Sequence, residues 1–242
     1  TSSGSVTGVQ TCALPIFIAL DYSAAEEARK AVAGLQGAAG VFKIGLELIY
    51  ADGLPLVRML AAWGHRIFLD AKLLDIPNTV ERATANAAEL GASFLTIHCT
   101  DRKTLGAAVL GRGSSAMKLL GVTVLTSLDA ADLADQGIAM PPAELVLRRA
   151  IMAQEAGLDG VVASAQEASA IRAELGGEFL IVTPGIRPAG AEAGDQARVV
   201  TPSDAIAAGA DYLVVGRPIT AAADPRQAAD RIIAEIEAAL SG

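Results

Sequence analysis

Eight short apolar runs, many of them β-branched, recur along the chain: Ile16-Leu20, Val41-Leu46, Arg66-Leu69, Phe94-Ile97, Leu120-Leu125, Gly160-Ala163, Phe179-Val182 and Tyr212-Val215. Between them lie segments with apolar residues at helical spacing, among them Ala24 to Leu35, Leu54 to Trp63, Val80 to Leu90, Ala143 to Ala156, Ala165 to Leu175 and Pro225 to Leu240. Strands separated by helices return in the same direction, so the alternation predicts parallel strands with crossover helices. Eight such units in 242 residues fit one closed (β/α)8 barrel better than an open doubly wound sheet. No G-x-G-x-x-G follows the first run, which counts further against a dinucleotide-binding sheet. Gly34, Gly37 and Gly40 read as a helix-to-strand connection. Residues 1–15 are rich in Ser, Thr and Gly without periodicity. They are expected to be a disordered or non-native tail, leaving 16–242 as a single barrel domain.

Composition narrows the partners. With 52% hydrophobic and 19% charged residues the chain can bury one large core. Its formal charge of -8 argues against nucleic acid or an anionic membrane surface, both of which call for clustered Lys and Arg. Cys12 and Cys99 form no C-x-x-C pattern, and His65 and His98 form no H-x-x-x-H pair, so neither a zinc site nor a disulfide framework is indicated. A reducing cytoplasm fits. The apolar stretch Cys12 to Leu20 is too short to span a bilayer and no Lys or Arg precedes it, so no targeting segment is read there.

In a barrel of this kind the active site is assembled where the strands end. Strand one ends at Asp21, strand two carries Lys43, strand three supplies Asp70 and Lys72, strand four His98, and strand five Thr126 and Ser127. Only five lysines are present, so two at strand ends is informative. Extended backbone alternates faces, which predicts that Asp70 and Lys72 project to the same side, with Asp75 and Pro77 marking the passage into loop. Lys43, Asp70, Lys72 and Asp75 are expected to form a network in which carboxylates flank each ammonium. Opposite charges about 4 Å apart are worth on the order of 4 kcal/mol at an effective dielectric near 20, which favours the ammonium form of both lysines. A protonated lysine is an acid and not a nucleophile, so a Schiff-base aldolase is disfavoured and stabilisation followed by protonation of a carbanion is favoured.

After strands seven and eight come Pro184-Gly185-Ile186-Arg187 and Gly216-Arg217-Pro218. Glycines let backbone N–H groups approach an anion and arginine offers a planar fork to its oxygens, so these two loops are expected to grip a phosphate. Gln196, in the polar stretch after strand seven, is placed to close over such a ligand. His98 and Cys99 fall near the barrel mouth, where a lone histidine is more often a hydrogen-bonded structural residue.

From about Phe17 onward the chain resembles the bacterial orotidine 5'-phosphate decarboxylases. The matching segments are Ala19-Leu20-Asp21, Phe42-Lys43-Ile44-Gly45, Leu69 through Thr79, Leu125-Thr126-Ser127, Val182 through Pro188, Gly194-Asp195-Gln196 and Val215-Gly216-Arg217-Pro218. The family pattern Asp-x-Lys-x-x-Asp-Ile-Pro-Asn-Thr is filled at every fixed position. The resemblance implies a TIM barrel that decarboxylates orotidine 5'-monophosphate (OMP) to uridine 5'-monophosphate (UMP) in pyrimidine nucleotide synthesis, with neither metal nor electron-sink cofactor. It implies that Lys72 stabilises and protonates the carbanion, that Asp70 sits by the substrate carboxylate, and that Asp21 and Lys43 bind the ribose. Thr126 and Ser127 would contact the base, Arg187, Gln196, Gly216 and Arg217 the phosphate and its closing loop, and Pro184 would also bind the substrate. It also implies a homodimer in which Asp75, with Ile76 and Thr79, completes the neighbouring site. Ala71 and Leu73-Leu74 depart from the commoner Leu and Phe-His, a change expected to alter packing only. Two alternatives are a Mg²⁺-dependent 3-keto-gulonate 6-phosphate decarboxylase, whose family places a carboxylate where Lys43 stands, and a barrel that binds phosphate without catalysis.

Overall fold

The computed structural model describes residues 15–188 and 200–241. Eight parallel strands close into a barrel in chain order: β1 (Ile16–Ala19), β2 (Val41–Gly45), β3 (Ile67–Leu73), β4 (Phe94–His98), β5 (Lys118–Val122), β6 (Gly160–Val162), β7 (Leu180–Thr183) and β8 (Tyr212–Val215). β1 pairs with β2 through Phe17 and Val41 and with β8 through Phe17 and Val214, which seals the ring. The expected (β/α)8 architecture is therefore the observed one. Residues 1–14 of the expected tail lie outside the described residues, and the Pro15 carbonyl accepts a hydrogen bond from the Leu213 amide at 2.9 Å.

The period-two alternation of each strand sorts its side chains into two cores. One set, including Ile18, Ile44, Leu69, Ile97, Val161 and Ile181, packs outward against helix residues such as Leu56, Leu60, Val80 and Ile236. The other set, Phe17, Val41, Phe68, Phe94, Leu120 and Val182 with Tyr212 and Val214, fills the barrel interior. Phe17 stands at its centre, with ring centroids 5.2 Å from Phe68, 5.0 Å from Phe94 and 4.6 Å from Tyr212. Arg66, immediately before β3, lays its guanidinium 5.1 Å from the Phe94 ring centroid. Two residues further along the same strands come Ala19, Lys43, Asp70, Thr96, Val122, Pro184 and Gly216. The aromatic layer is thus the floor on which the next, polar layer rests.

Three expectations about the elements are revised. β5 runs over Lys118–Val122 and not to Leu125, because β6 is only three residues long and its last pairing is Val122 with Val162. Beyond it the Thr123 amide and hydroxyl both donate to the Val162 carbonyl, while the Thr123 carbonyl accepts from Arg149 at 2.6 Å, so the ladder ends there. β3 extends to Leu73, but its register with β4 shifts between Leu69 and Leu73. Lys72 is left-handed at φ 48°, yet it and Asp70 project to the same side as expected, with Nζ 2.7 Å from Oδ2. Arg217 opens a four-residue helix, Arg217–Thr220, where a loop was expected. Among the described residues no helix is long and apolar enough to cross a membrane.

Because Phe17 is wholly buried and touches three other rings, Phe17→Ala is expected to lower the free energy of unfolding by about 3–5 kcal/mol. Urea denaturation of the two proteins measures the difference, and a loss below 1 kcal/mol, on the order of a surface change, would contradict this role.

Candidate active site

A cleft of about 530 Å³ opens over the C-terminal ends of the strands. Asp21, Lys43, Asp70, Lys72, Thr126, Pro184, Gly185, Arg187, Gly216 and Arg217 all line it, so most of the residues singled out from the sequence are brought together. Val122, Phe68 and Ala19 form its apolar base and Glu47, which sequence reasoning passed over, lies at its side.

A chain of charges crosses the cleft. Asp21 Oδ1 lies 3.0 Å from Lys43 Nζ, which lies 3.7 Å from Asp70 Oδ2, which in turn accepts from Lys72 Nζ at 2.7 Å. Lys43 and Asp70 are nearly buried, with side chains 10% and 12% exposed, whereas Lys72 is 27% exposed toward the open cleft. Burial alone would push the Asp70 carboxyl up, but Lys43 and Lys72 beside it, with hydrogen bonds from Lys72 and Thr96, hold it below the ordinary aspartate value. Gly45 makes room for this arrangement: a Cβ there would lie 2.8 Å from Lys43 Nζ.

Thr96 is the residue that sequence reasoning missed. Fully buried on β4, it accepts from the Lys72 amide at 2.8 Å and donates to Asp70 Oδ1 at 3.0 Å. Its signal was present in the pattern, since Thr96 follows Phe94 by two and must face the interior one layer above it. His98 comes next on that face. Burial, then Lys72 and Arg149, push its imidazole down, which favours the neutral form. His98 is not among the residues lining the cleft.

On the opposite wall Arg187 is nearly buried and donates to its neighbour's carbonyl, Ile186 O, at 2.9 Å. Burial and the like charge of Arg217 both push its pKa down. Two guanidiniums beside Gly185 and Gly216 make a corner that an anion would relieve of its repulsion. The Arg187 amide bonds to Val200 O at 3.0 Å, pinning the far side of the segment that holds Gln196. Gln196 itself lies outside the described residues.

The expectation that Asp75 flanks Lys72 is not met within one protomer. After Lys72 the chain turns outward, and the exposed Asp75 caps its own loop by accepting from the Ile76 amide at 2.6 Å. Ile76 is 67% exposed, Thr79 sits on the exposed face of the helix Pro77–Glu89, and neither lines the cleft. Ser127 is exposed in the loop beyond β5 and is also outside the cleft lining, unlike its neighbour Thr126.

Residues 14–232 match the model of the orotidine 5'-phosphate decarboxylase / HUMPS family. The chain is 55% identical over 222 residues to the orotidine 5'-phosphate decarboxylase of Methylorubrum extorquens (strain PA1), covering 92% of this chain and 95% of that one. It is 52% identical over 221 residues to that of Rhodopseudomonas palustris (strain BisA53), covering 91% and 94%. The crystal structure of orotidine 5'-phosphate decarboxylase from Lactobacillus acidophilus superposes with a TM-score of 0.81 at 38% identity, over 92% of this chain and 98% of that one.

Asp70 stands between two cations, so Asp70→Asn leaves Lys43 and Lys72 facing each other and is expected to cost about 3 kcal/mol or more of stability at pH 7. A depressed folded value means that the carboxylate's contribution is fully present above the unfolded value near ~3.9 and is lost as pH falls through the folded one. The gap between wild type and variant should therefore narrow below about pH 4. Denaturant melts at pH 7 and at successively lower pH test this; equal stabilities at pH 7 would contradict it.

Proposed function

The chain belongs to the orotidine 5'-phosphate decarboxylase / HUMPS family, and from that premise we propose that it decarboxylates OMP to UMP and CO₂, the last step of de novo UMP synthesis. The observation that carries this reading is the Lys43–Asp70–Lys72 chain of charges set across the cleft from the Arg187 and Arg217 corner. It supplies a proton donor at one end and an anion grip at the other.

In the proposed reaction Arg187 and Arg217, with the backbone at Gly185 and Gly216 and with Gln196, hold the 5'-phosphate. Asp21 and Lys43 hold the ribose hydroxyls, and Thr126, Ser127 and Pro184 bound the base. The C6–carboxylate bond breaks with its electron pair left on C6, and CO₂ departs. The Lys72 ammonium stabilises that pair and then delivers one proton to C6, leaving a neutral amine that water reprotonates. Asp70 has a buried negative charge beside the leaving carboxylate, so its repulsion is relieved as CO₂ forms. Energy from binding the remote phosphate holds the substrate against that repulsion.

The reading needs no metal or organic cofactor. Lys43 Nζ lies between the Asp21 and Asp70 carboxylates, where its charge takes the place that a bridging divalent cation would have. This favours OMP over the Mg²⁺-dependent decarboxylation of a 3-keto-gulonate 6-phosphate.

A homodimer is part of the proposal. Among the described residues the carboxylate paired with Lys72 is Asp70, while Asp75, Ile76 and Thr79 are exposed and do not line their own cleft. Leu46 and Tyr50 after β2, with Leu74 and Ile76 after the adjacent β3, are exposed apolar side chains at that same end of the barrel, suited to burial against a second copy.

Lys72→Ala is expected to abolish turnover while sparing UMP binding, because it removes the proton donor and leaves the phosphate corner intact. The ultraviolet change on adding OMP to EDTA-treated protein reads turnover, and near wild-type activity in Lys72→Ala would refute the assigned role. Mixing inactive Lys72→Ala with inactive Asp75→Asn should restore activity, since each heterodimer then holds one site with both native residues. Mixtures that stay inactive after verified subunit exchange would remove Asp75 from the neighbouring site.

A further inference from the structure

Asp70 and Lys72 lie on one strand and meet on its inner face, but the backbone that brings them together is not that of a regular strand. Lys72 Nζ reaches Asp70 Oδ2 at 2.7 Å from a backbone turned to φ 48°. A left-handed non-glycine residue is costly and persists where its surroundings hold it. Leaving the regular ladder also removes the Lys72 amide from its usual partner, and β3 and β4 lose register at that point.

One buried hydroxyl meets both needs. Thr96 Oγ1 accepts the Lys72 N–H at 2.8 Å, and its own hydrogen goes to Asp70 Oδ1 at 3.0 Å. A hydroxyl has a single hydrogen to give, so with the amide as donor to it, Thr96 can only donate toward the carboxylate. That fixes the carboxylate as acceptor and leaves Oδ2 for the two ammoniums. The charged and titratable groups facing Asp70 are Lys43 from β2, with Asp21 behind it, Lys72 from its own strand, and His98 from β4. Among these contacts Thr96 is the one that touches both the carboxylate and the lysine's backbone.

We propose that Thr96 is a positioning residue that sets the turn at Lys72 and the orientation of Asp70 together, so that a single hydroxyl aims the proton donor of the reaction. The inference rests on the decarboxylase reading above for its kinetic consequence, but not for its effect on Asp70. Thr96→Val removes the hydroxyl at nearly constant size and leaves the Lys72 N–H unpaired. Its kcat should fall on the order of 10²-fold, as for a small displacement of a reacting group, while UMP affinity is unchanged. The Asp70 titration, followed by carboxyl ¹³C resonance, should move to higher pH because a hydrogen bond to the charged form is lost. Thr96→Ser keeps the hydroxyl and should restore both.

The carboxyl titration needs no turnover, so it tests the inference even if the wild-type protein fails to decarboxylate OMP, and that failure alone would count against the functional reading. Should Thr96→Val not fold, Thr96→Ser against Thr96→Ala makes the same comparison, the two differing in the hydroxyl alone. A Val or Ala variant with wild-type kcat and Asp70 titration would overturn the proposal. So would a Ser variant that loses as much as Val or Ala, which would assign the effect to the methyl's packing.

Discussion

The Asp70 carboxylate is the interaction on which the cleft depends. Burying it without partners would neutralise it, since an isolated carboxylate in low dielectric costs many kcal/mol. Lys43, Lys72 and Thr96 divide its two oxygens among them, so the charge survives inside the barrel. Lys72 in turn is paired by Asp70, and the nearly buried Lys43 is shared between Asp70 and Asp21. Each member is tolerable only because the others are present, which is how a barrel interior can hold three ionisable groups above an aromatic floor.

The location of that network follows from the strand period. Phe68 and Asp70, Val41 and Lys43, Phe94 and Thr96 are pairs two residues apart, with the apolar member in the packed layer and the polar member in the layer above it. Shifting any one of these strands by a residue would turn its polar member toward the outer helices and away from the network. The closed ring of eight strands holds the register, and the ring is pinned in its middle by Phe17 against Phe68, Phe94 and Tyr212. Packing below and electrostatics above are therefore one construction.

What the sequence made legible was whatever obeys a period. The alternation of apolar runs foretold eight parallel strands, and strand ends bearing Asp21, Lys43, Asp70, Lys72, Arg187 and Arg217 foretold the residues that line the cleft. The rest depends on distant partners. A lysine is an unexpected residue for positive φ, so the turn at Lys72 was invisible without Thr96 across the ladder. Thr96 itself looked like an ordinary strand residue, because threonine is common in sheets for its branching as well as its hydroxyl. The early end of β5 was set by the shortness of β6, some forty residues away, and not by anything in Val124 or Leu125. The helix beginning at Arg217 is too short for periodicity to reveal.

The residues that follow the turn at Lys72 are exposed, and on the proposed reading this is why the site needs a second copy. β3 keeps one further pairing beyond the left-handed Lys72, Leu73 with Ile97, and Leu74, Asp75 and Ile76 after it are exposed at the surface. Among the described residues a protomer offers its lysine the Asp70 carboxylate at 2.7 Å, while Asp75 accepts from the Ile76 amide and does not line its own cleft. On the proposed dimer reading Asp75 serves the partner's cleft, and the exposed apolar side chains of Leu46, Tyr50, Leu74 and Ile76 around the same strand exits are suited to burial against that second copy. On the proposed reading, the local geometry that positions the proton donor and the need for a partner subunit have a common origin in one backbone dihedral.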